Sequence, residues 1–491
     1  MNTTQATPTL RFEQLPGPRG LPVFGNLLQI DSSRMHLQLE AWRARYGPVY
    51  RLKLAHRRLV VVSDYTLIAA ALRDRPEGFR RTTRLEEIWT EMGLLGGVFG
   101  ANGDTWRRQR RMVMASFDPA HVKNYYPAMQ GVAQRLVGRW QAAAATGQAV
   151  ELLPELMRYT VDTIAGLAFG AEVNTLQSDD DVIQVHLNRL FPTLFTRMFK
   201  PVPTWRWWPS AEDRAVQRSV AAVNAAVDDF VAQARARLAA DPALRAQPRN
   251  LLEAMLVAAD EPGSGIDDVQ VAGNVLTMLL AGEDTTANTL AWLLHLLWQH
   301  PEALAQATAE VRSRCSWPPS LEELAQLDFV EACIHETMRL KPVAPQNGLE
   351  ALRPTSVAGV QIDPGMIVMA LMRWDAVSNE LMPDAATFLP QRWLADGLPD
   401  GPPGMQADGR AGAPARHGHN ARRVSMPFGA GPRICPGRYL AMLEMKLATA
   451  TLLLQFDLAG VHTPDGQAPR ERLHLAMAPV GLSMRLRRRA A

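Results

Sequence analysis

Residues 428 to 437 read FGAGPRICPG, with Cys435 set among Gly429, Gly431 and Gly437 and between Pro432 and Pro436. Glycine and proline at this density stop helices and strands, because one is too free and the other lacks an N–H. The stretch is therefore a loop, and it holds one of only three cysteines in the chain. Either Cys435 is a small hydrophobe caught in a turn, or the loop exists to aim its sulfur. Apolar residues at helical spacing follow from about Pro436 to Gln455. A thiol at that helix N-terminus meets the dipole and free N–H groups, which favour the thiolate and lower its pKa. Gly429 and Gly431 permit a sharp turn and close approach to a large flat ligand. Arg433, two residues before the sulfur, is placed to meet a carboxylate on that ligand.

The longest helical pattern runs from Asp267, a capping residue, to Gln299, just before His300-Pro301. At ~1.5 Å per residue it spans about 50 Å, enough to traverse the molecule. Its centre reads AGEDTT, residues 281 to 286. Gly282 costs a helix about 1 kcal/mol relative to alanine. The segment is therefore either a close helix–helix contact or a groove where a hydroxyl and a carboxylate handle protons. Residues 321 to 342 form a second helix, ended by Pro342 and carrying Glu336 and Arg339 one turn apart. Residues 47 to 54 and 57 to 64 read as a β-hairpin, and short strand signals recur near 355–363 and 366–372. Residues 396 to 420 are rich in proline and glycine, hence irregular. The chain is expected to be mainly α with a small β portion: a polar tail over 1–14 and a single domain over 15–491.

Composition narrows the function. The 52 Lys and Arg residues nearly balance 49 Asp and Glu, and net charge +3 gives no general attraction to nucleic acid. Three cysteines without a C-x-x-C pair argue against a disulfide framework and for a reducing compartment. The polar N-terminus lacks a signal-peptide core, and no apolar run is long enough to span a bilayer. The expectation is a cytoplasmic protein with no transmembrane anchor.

FGAGPRICPG resembles the F-x-x-G-x-R-x-C-x-G loop of the cytochrome P450 superfamily, with Phe428, Gly431, Arg433, Cys435 and Gly437 all in place. AGEDTT is similar to its A-G-x-D-T-T helix segment, HETMRL to its E-x-x-R, FLPQRW to its F-x-P-x-R, and GDTWRRQRR (103–111) to its W-x-x-x-R helix. The resemblance implies the P450 fold, with haem b between the long central helix and the cysteine-loop helix. By it, Cys435 is the axial ligand of the haem iron, and Phe428, Gly429, Arg433 and Gly437 belong to the haem loop. Trp106 and Arg110 would bind a propionate, Ala281 and Gly282 the oxygen groove, and Asp284 with Thr285 the acid–alcohol pair. Glu336, Arg339 and Arg392 would form a structural cluster.

The implied activity is an O2-dependent monooxygenase that hydroxylates or epoxidises a lipophilic molecule of fatty-acid, terpenoid or similar class. Electrons would come from a separate ferredoxin or flavodoxin with its NAD(P)H reductase, since about 55 residues after Cys435 leave no room for a fused reductase. Arg107, Arg108 and Arg111 would recruit that acidic partner or form a solvated face. Leu85, Ile88, Trp89, Met92, Leu94, Leu95, Val98 and Phe99 would line a substrate pocket or pack the core, and residues 199–214 would form a lid. Two departures stand out. Where many relatives carry an arginine after the E-x-x-R helix, this chain has Gly348 and Glu350, with Arg353 further on; a His-Arg pair is replaced by Met372-Arg373. Two rivals remain: a haem-thiolate peroxygenase or isomerase needing no reductase, and a non-catalytic haem protein that binds gas or ligand.

Overall fold

The Asp267 carboxylate accepts from the Gln270 N–H at 2.8 Å and starts the long helix, Asp268–Gln299. The computed structural model describes residues 10–117, 119–170, 174–177, 182–200, 202–394 and 417–489. The long helix is buried on nearly every side from Val271 to Leu297, and packs against helices Leu152–Phe169, Ala211–Ala240, Asp328–Leu340 and Arg438–Gln455. Helices dominate, and no described helix is long and apolar enough to cross a membrane.

The expected hairpin forms from Val49–Leu54 and Arg57–Val62, paired antiparallel. It extends into a five-stranded sheet through Ile367–Leu371, then Gln346–Ala351, then the short strand Phe79–Arg81. Only the Arg57–Val62 and Ile367–Leu371 pair is parallel. Register places Arg81 opposite Leu349 and Arg80 opposite Glu350.

Three expectations change. Residues 321–342 are two helices, Leu321–Ala325 and Asp328–Leu340. The break is compensated by Glu310 of the preceding helix, whose carboxylate accepts from Phe329 and Val330 N–H groups at 2.8 and 2.9 Å. At the N-terminus, Leu10 bridges to Val360 and Phe12 is buried with Leu15, so residues 10–14 belong to the packed fold. Most of the irregular 396–420 stretch lies outside the described residues, and His417 begins a helix running to Val424.

Glu336, Arg339 and Arg392 meet in the interior with almost no exposed side-chain area. Both Glu336 oxygens accept from Arg339 at 2.7 Å, and the Arg392 Nε stands 3.4 Å away. Glu336 also accepts from the Leu389 N–H and the Trp393 indole. One carboxylate thus faces two buried guanidiniums; the backbone carbonyls of Ala376, Ala385 and Thr387 accept from Arg339 and that of Asp384 from Arg392, while the Arg392 Nε has no hydrogen-bond partner among the described residues. Removing one partner of a buried pair leaves a charge uncompensated and costs about 3–5 kcal/mol. Glu336→Ala is expected to lower the unfolding free energy, measured by chemical denaturation, by that amount, with Glu336→Gln intermediate; equal unfolding free energies for all three proteins would refute the charge role.

Candidate active site

The cysteine loop is held by geometry that only its glycines allow. Gly431 has φ +71°, and a Cβ there would stand 2.7 Å from the Arg73 Cα and the Leu72 carbonyl oxygen. The loop therefore lies directly on the end of helix Tyr65–Arg73. Gly429, at φ +73°, makes the preceding turn, and the Cys435 N–H donates to the Phe428 carbonyl at 2.9 Å. Gly437 is the N-cap of helix Arg438–Gln455, and Pro436 lies outside that helix.

Burial pushes the Cys435 thiol up, while the Gly437 N–H and the charges of Arg110 and Arg438 pull it down without prevailing. The expected depression at a helix N-terminus is thus overturned by desolvation. A free thiol here keeps its proton, and metal binding would displace it.

The surrounding charges are one-sided. Arg433 leans over the Trp106 ring at 4.7 Å and donates to the Ala101 carbonyl at 2.7 Å, but its Nε is buried without a partner. Arg81 stacks on Phe99 at 3.8 Å, and its Nε is likewise buried and unpartnered. Burial, then the charges of Arg75 and neighbouring arginines, press the Arg433 guanidinium down to about 10. Arg81 is pressed well below the usual range by burial, Arg75 and Arg433. Buried cations without a carboxylate call for an anion from elsewhere.

The central helix opens at one place. Ala281 is exposed, and Gly282, Asp284 and Thr285 are partly exposed, within a helix otherwise closed from Val271 to Leu294. Gly282 itself is explained by packing: a Cβ would meet Ile164 at 3.1 Å. The Thr285 hydroxyl donates to the Ala281 carbonyl at 2.7 Å, leaving its lone pairs toward the opening. Asn288 donates to Asp284 Oδ1 at 2.6 Å, yet burial still pushes the Asp284 carboxyl up to about 6.

These observations fit haem: a buried sulfur ligand just before a helix, two arginines whose buried Nε groups lack a partner for two carboxylates, and a mid-helix opening. Arg81, which the sequence reading did not single out, belongs with Arg433 in that set. Arg110 reaches the cysteine loop differently from expectation, donating to the Ile434 carbonyl at 2.6 Å. Arg373 is fully engaged by Glu40 and Glu471, and Arg353 by Asp74, so neither takes the missing arginine's place. Of the apolar residues 85–99, Leu85 and Phe99 line a cavity, whereas Ile88, Trp89, Met92 and Leu94 are buried in the main core.

A family profile described as Cytochrome P450 matches residues 15–485. The chain is 26% identical to the self-sufficient cytochrome P450 monooxygenase CYP505E5 of Aspergillus niger, over 96% of this chain and 43% of that protein. It is also 26% identical to a bifunctional cytochrome P450/NADPH–P450 reductase of Aspergillus oryzae, over 93% and 40% respectively. The chain thus spans less than half the length of these fungal relatives. A crystal structure of a mutant cytochrome P450DA heme domain superposes with TM-score 0.79 at 25% identity, covering 97% of this chain and 98% of that one.

Proposed function

The chain belongs to the cytochrome P450 family, and from that premise we propose that it is a haem-thiolate monooxygenase acting on a lipophilic small molecule. The net reaction consumes substrate, O2, two electrons and two protons, and yields the hydroxylated or epoxidised product and water. Bound haem supplies the reductive activation of O2, with a cysteine thiolate favouring O–O cleavage. The residues that would hold it are Cys435 at the metal, Arg433, Arg81 and Trp106 at its carboxylates, and Gly429 to Gly437 beneath its face. Ala281 would leave room above that face.

The observation that carries the reading is the Asp284–Thr285 pair at the helix opening. A carboxyl near 6 exchanges protons readily at neutral pH, and the adjacent hydroxyl can hold a donor in place. An enzyme that took its oxygen from peroxide would have little use for either.

Residues 15–491 act in this reading as one catalytic unit. Electrons come from an acidic flavodoxin or ferredoxin docking beside the cysteine loop. Exposed Arg111 and Arg438 flank Arg110 there, whereas Arg107 is neutralised by Glu77 and Asp104 and the Arg108 Nε is buried. Turnover with a ferredoxin or flavodoxin, its NAD(P)H reductase and isotopically labelled O2 tests the proposal. One labelled oxygen atom in the product is the expected result. Product from peroxide alone, and none from O2 plus electrons, would establish the peroxygenase instead; haem binding without product under either regime would leave the gas-binding rival.

A further inference from the structure

We infer that Glu471 is a positioning residue for the substrate: from the root of the hairpin at residues 471–479 it fixes the apolar turn that forms one wall of the cavity beside the five-stranded sheet. The inference rests on the monooxygenase reading only for calling the cavity's occupant a substrate. The cavity measures about 340 Å³, within the range of about 300–1,000 Å³ typical of small-molecule sites. Leu59 and Ile367 of the sheet, Leu85 and Phe195 of helices Thr83–Glu91 and Val182–Phe199, and Leu473 and Leu475 of the hairpin line it.

No larger sheet holds this hairpin. Strands Glu471–Leu473 and Met477–Pro479 pair only with each other among the described residues. A two-stranded hairpin alone is marginally stable in water, so its placement depends on contacts outside the pairing. Side chains alternate along a strand; Glu471 and Leu473 share the largely buried face, while Arg472 is exposed. Leu473 and Met477 pack with Met35, Trp292 and Phe195, and the Met477 N–H donates to the Val343 carbonyl at 2.8 Å. Apolar packing of this kind is non-directional.

Glu471 supplies the directional contacts. Its carboxylate accepts from the His36 Nε2 at 2.9 Å, the Lys341 Nζ at 2.6 Å and the Arg373 Nη1 at 2.9 and 3.0 Å. Arg373 in turn forks onto Glu40 at 2.9 and 2.7 Å. One side chain thus ties the hairpin to helix Met35–Tyr46, to the C-cap of helix Asp328–Leu340 and to the chain just beyond strand Ile367–Leu371. That strand lines the same cavity through Ile367 and Met369. Burial would raise the Glu471 carboxyl, but the His36 hydrogen bond and the charges of Arg373 and Lys341 hold it well below the usual carboxylate range, so it stays ionised. Charge-assisted bonds from three side chains fix the orientation of the carboxylate, and with it the path of the chain into Leu473 and Leu475. Position 373, where the resemblance places the arginine of a His-Arg pair, is therefore committed to this hairpin.

The test reads binding rather than turnover. The haem-loaded protein is titrated with imidazole and with 1-dodecylimidazole, following the haem absorption shift; the ratio of the two affinities measures what the tail gains in the cavity. Glu471→Gln is expected to lower that ratio roughly fivefold or more, with imidazole affinity and haem content unchanged, and to speed amide hydrogen exchange at residues 471–479 selectively. Leu475→Ala should lower the ratio too, and the double variant should add little to the larger single effect, because Glu471 acts through the turn. Arg472→Ala, exposed on the same strand, should match the parent in both readouts. Additive effects of Glu471→Gln and Leu475→Ala, an unchanged ratio, or unchanged exchange at the hairpin would overturn the inference. So would equal losses of affinity for both ligands, which mark a general structural defect. If Glu471→Gln does not fold, Lys341→Met, which removes one of the three donors, enters the same cycle under the same criteria. The expected binding pattern with no labelled oxygen in any product would sink the monooxygenase reading alone. Labelled product with additive or absent binding effects would sink the inference alone.

Discussion

Cys435→Ser is expected to abolish the red-shifted carbon monoxide band of the reduced, haem-loaded protein. The substitution removes a soft thiolate donor and supplies a hydroxyl that does not ionise at neutral pH. Cys435→His should fail the same test, since a neutral imidazole donates without the thiolate's negative charge. Neither change should unfold the loop. Its path is set by Gly431 against Arg73 and by the backbone bond from residue 435 to Phe428, and neither involves the sulfur. Circular dichroism and denaturation of the cofactor-free variants should therefore match the parent protein. A Cys435→Ser variant that kept the red-shifted band would remove the sulfur from the assignment altogether. A variant that lost the band only because it failed to fold would show itself in the cofactor-free measurement.

What was legible in the sequence is what is encoded locally. The glycines and prolines around Cys435, the cap at Asp267 and the hairpin at residues 49–62 each carry their signal within a few positions, and the chain obeys them. The break at Gln326-Leu327 was hidden because its compensation comes from Glu310, in another helix. Arg81 was hidden for a similar reason. It sits in a three-residue strand, and only the pairing of that strand with Gln346–Ala351 brings it beside the cysteine loop. It lies opposite Leu349, next to the position where the sequence has Gly348 and no arginine, so the neighbouring strand supplies a cation that Gln346–Ala351 lacks. The direction of the Cys435 shift is not legible in the sequence, because a helix N-terminus is visible there and burial is not. Burial is the larger effect here.

Substitutions at Asp284 and Thr285 are expected to fail in different ways, and the difference separates a proton-handling site from a packing feature. Asp284 holds a carboxyl pushed up to about 6 by desolvation, against the opposing hydrogen bond from Asn288. Below that pH the acid form predominates and can donate; above it the carboxylate must first recover a proton from solvent. Asp284→Asn cannot ionise at all, so reductant consumption and product should slow together. Positioned proton transfer contributes about 10²–10⁴-fold, and a loss in that range is the expected size. The parent protein should also lose product-forming rate as pH rises through 6 when proton delivery limits turnover, and the Asn variant should not share that inflection. Thr285 acts at the other end of the transfer. Its hydroxyl rests on the Ala281 carbonyl at 2.7 Å, on the one stretch of the helix that opens. Thr285→Ala removes the group that holds the donor in place but leaves the carboxyl and the electron supply intact. Reductant should still be consumed while product falls and hydrogen peroxide accumulates. Measuring reductant, peroxide and product in one assay distinguishes the two failures. Wild-type coupling in Thr285→Ala would reduce the hydroxyl to a helix-backbone partner, and with Asp284→Asn also fully active, the peroxide-using rival would become the better reading of this site.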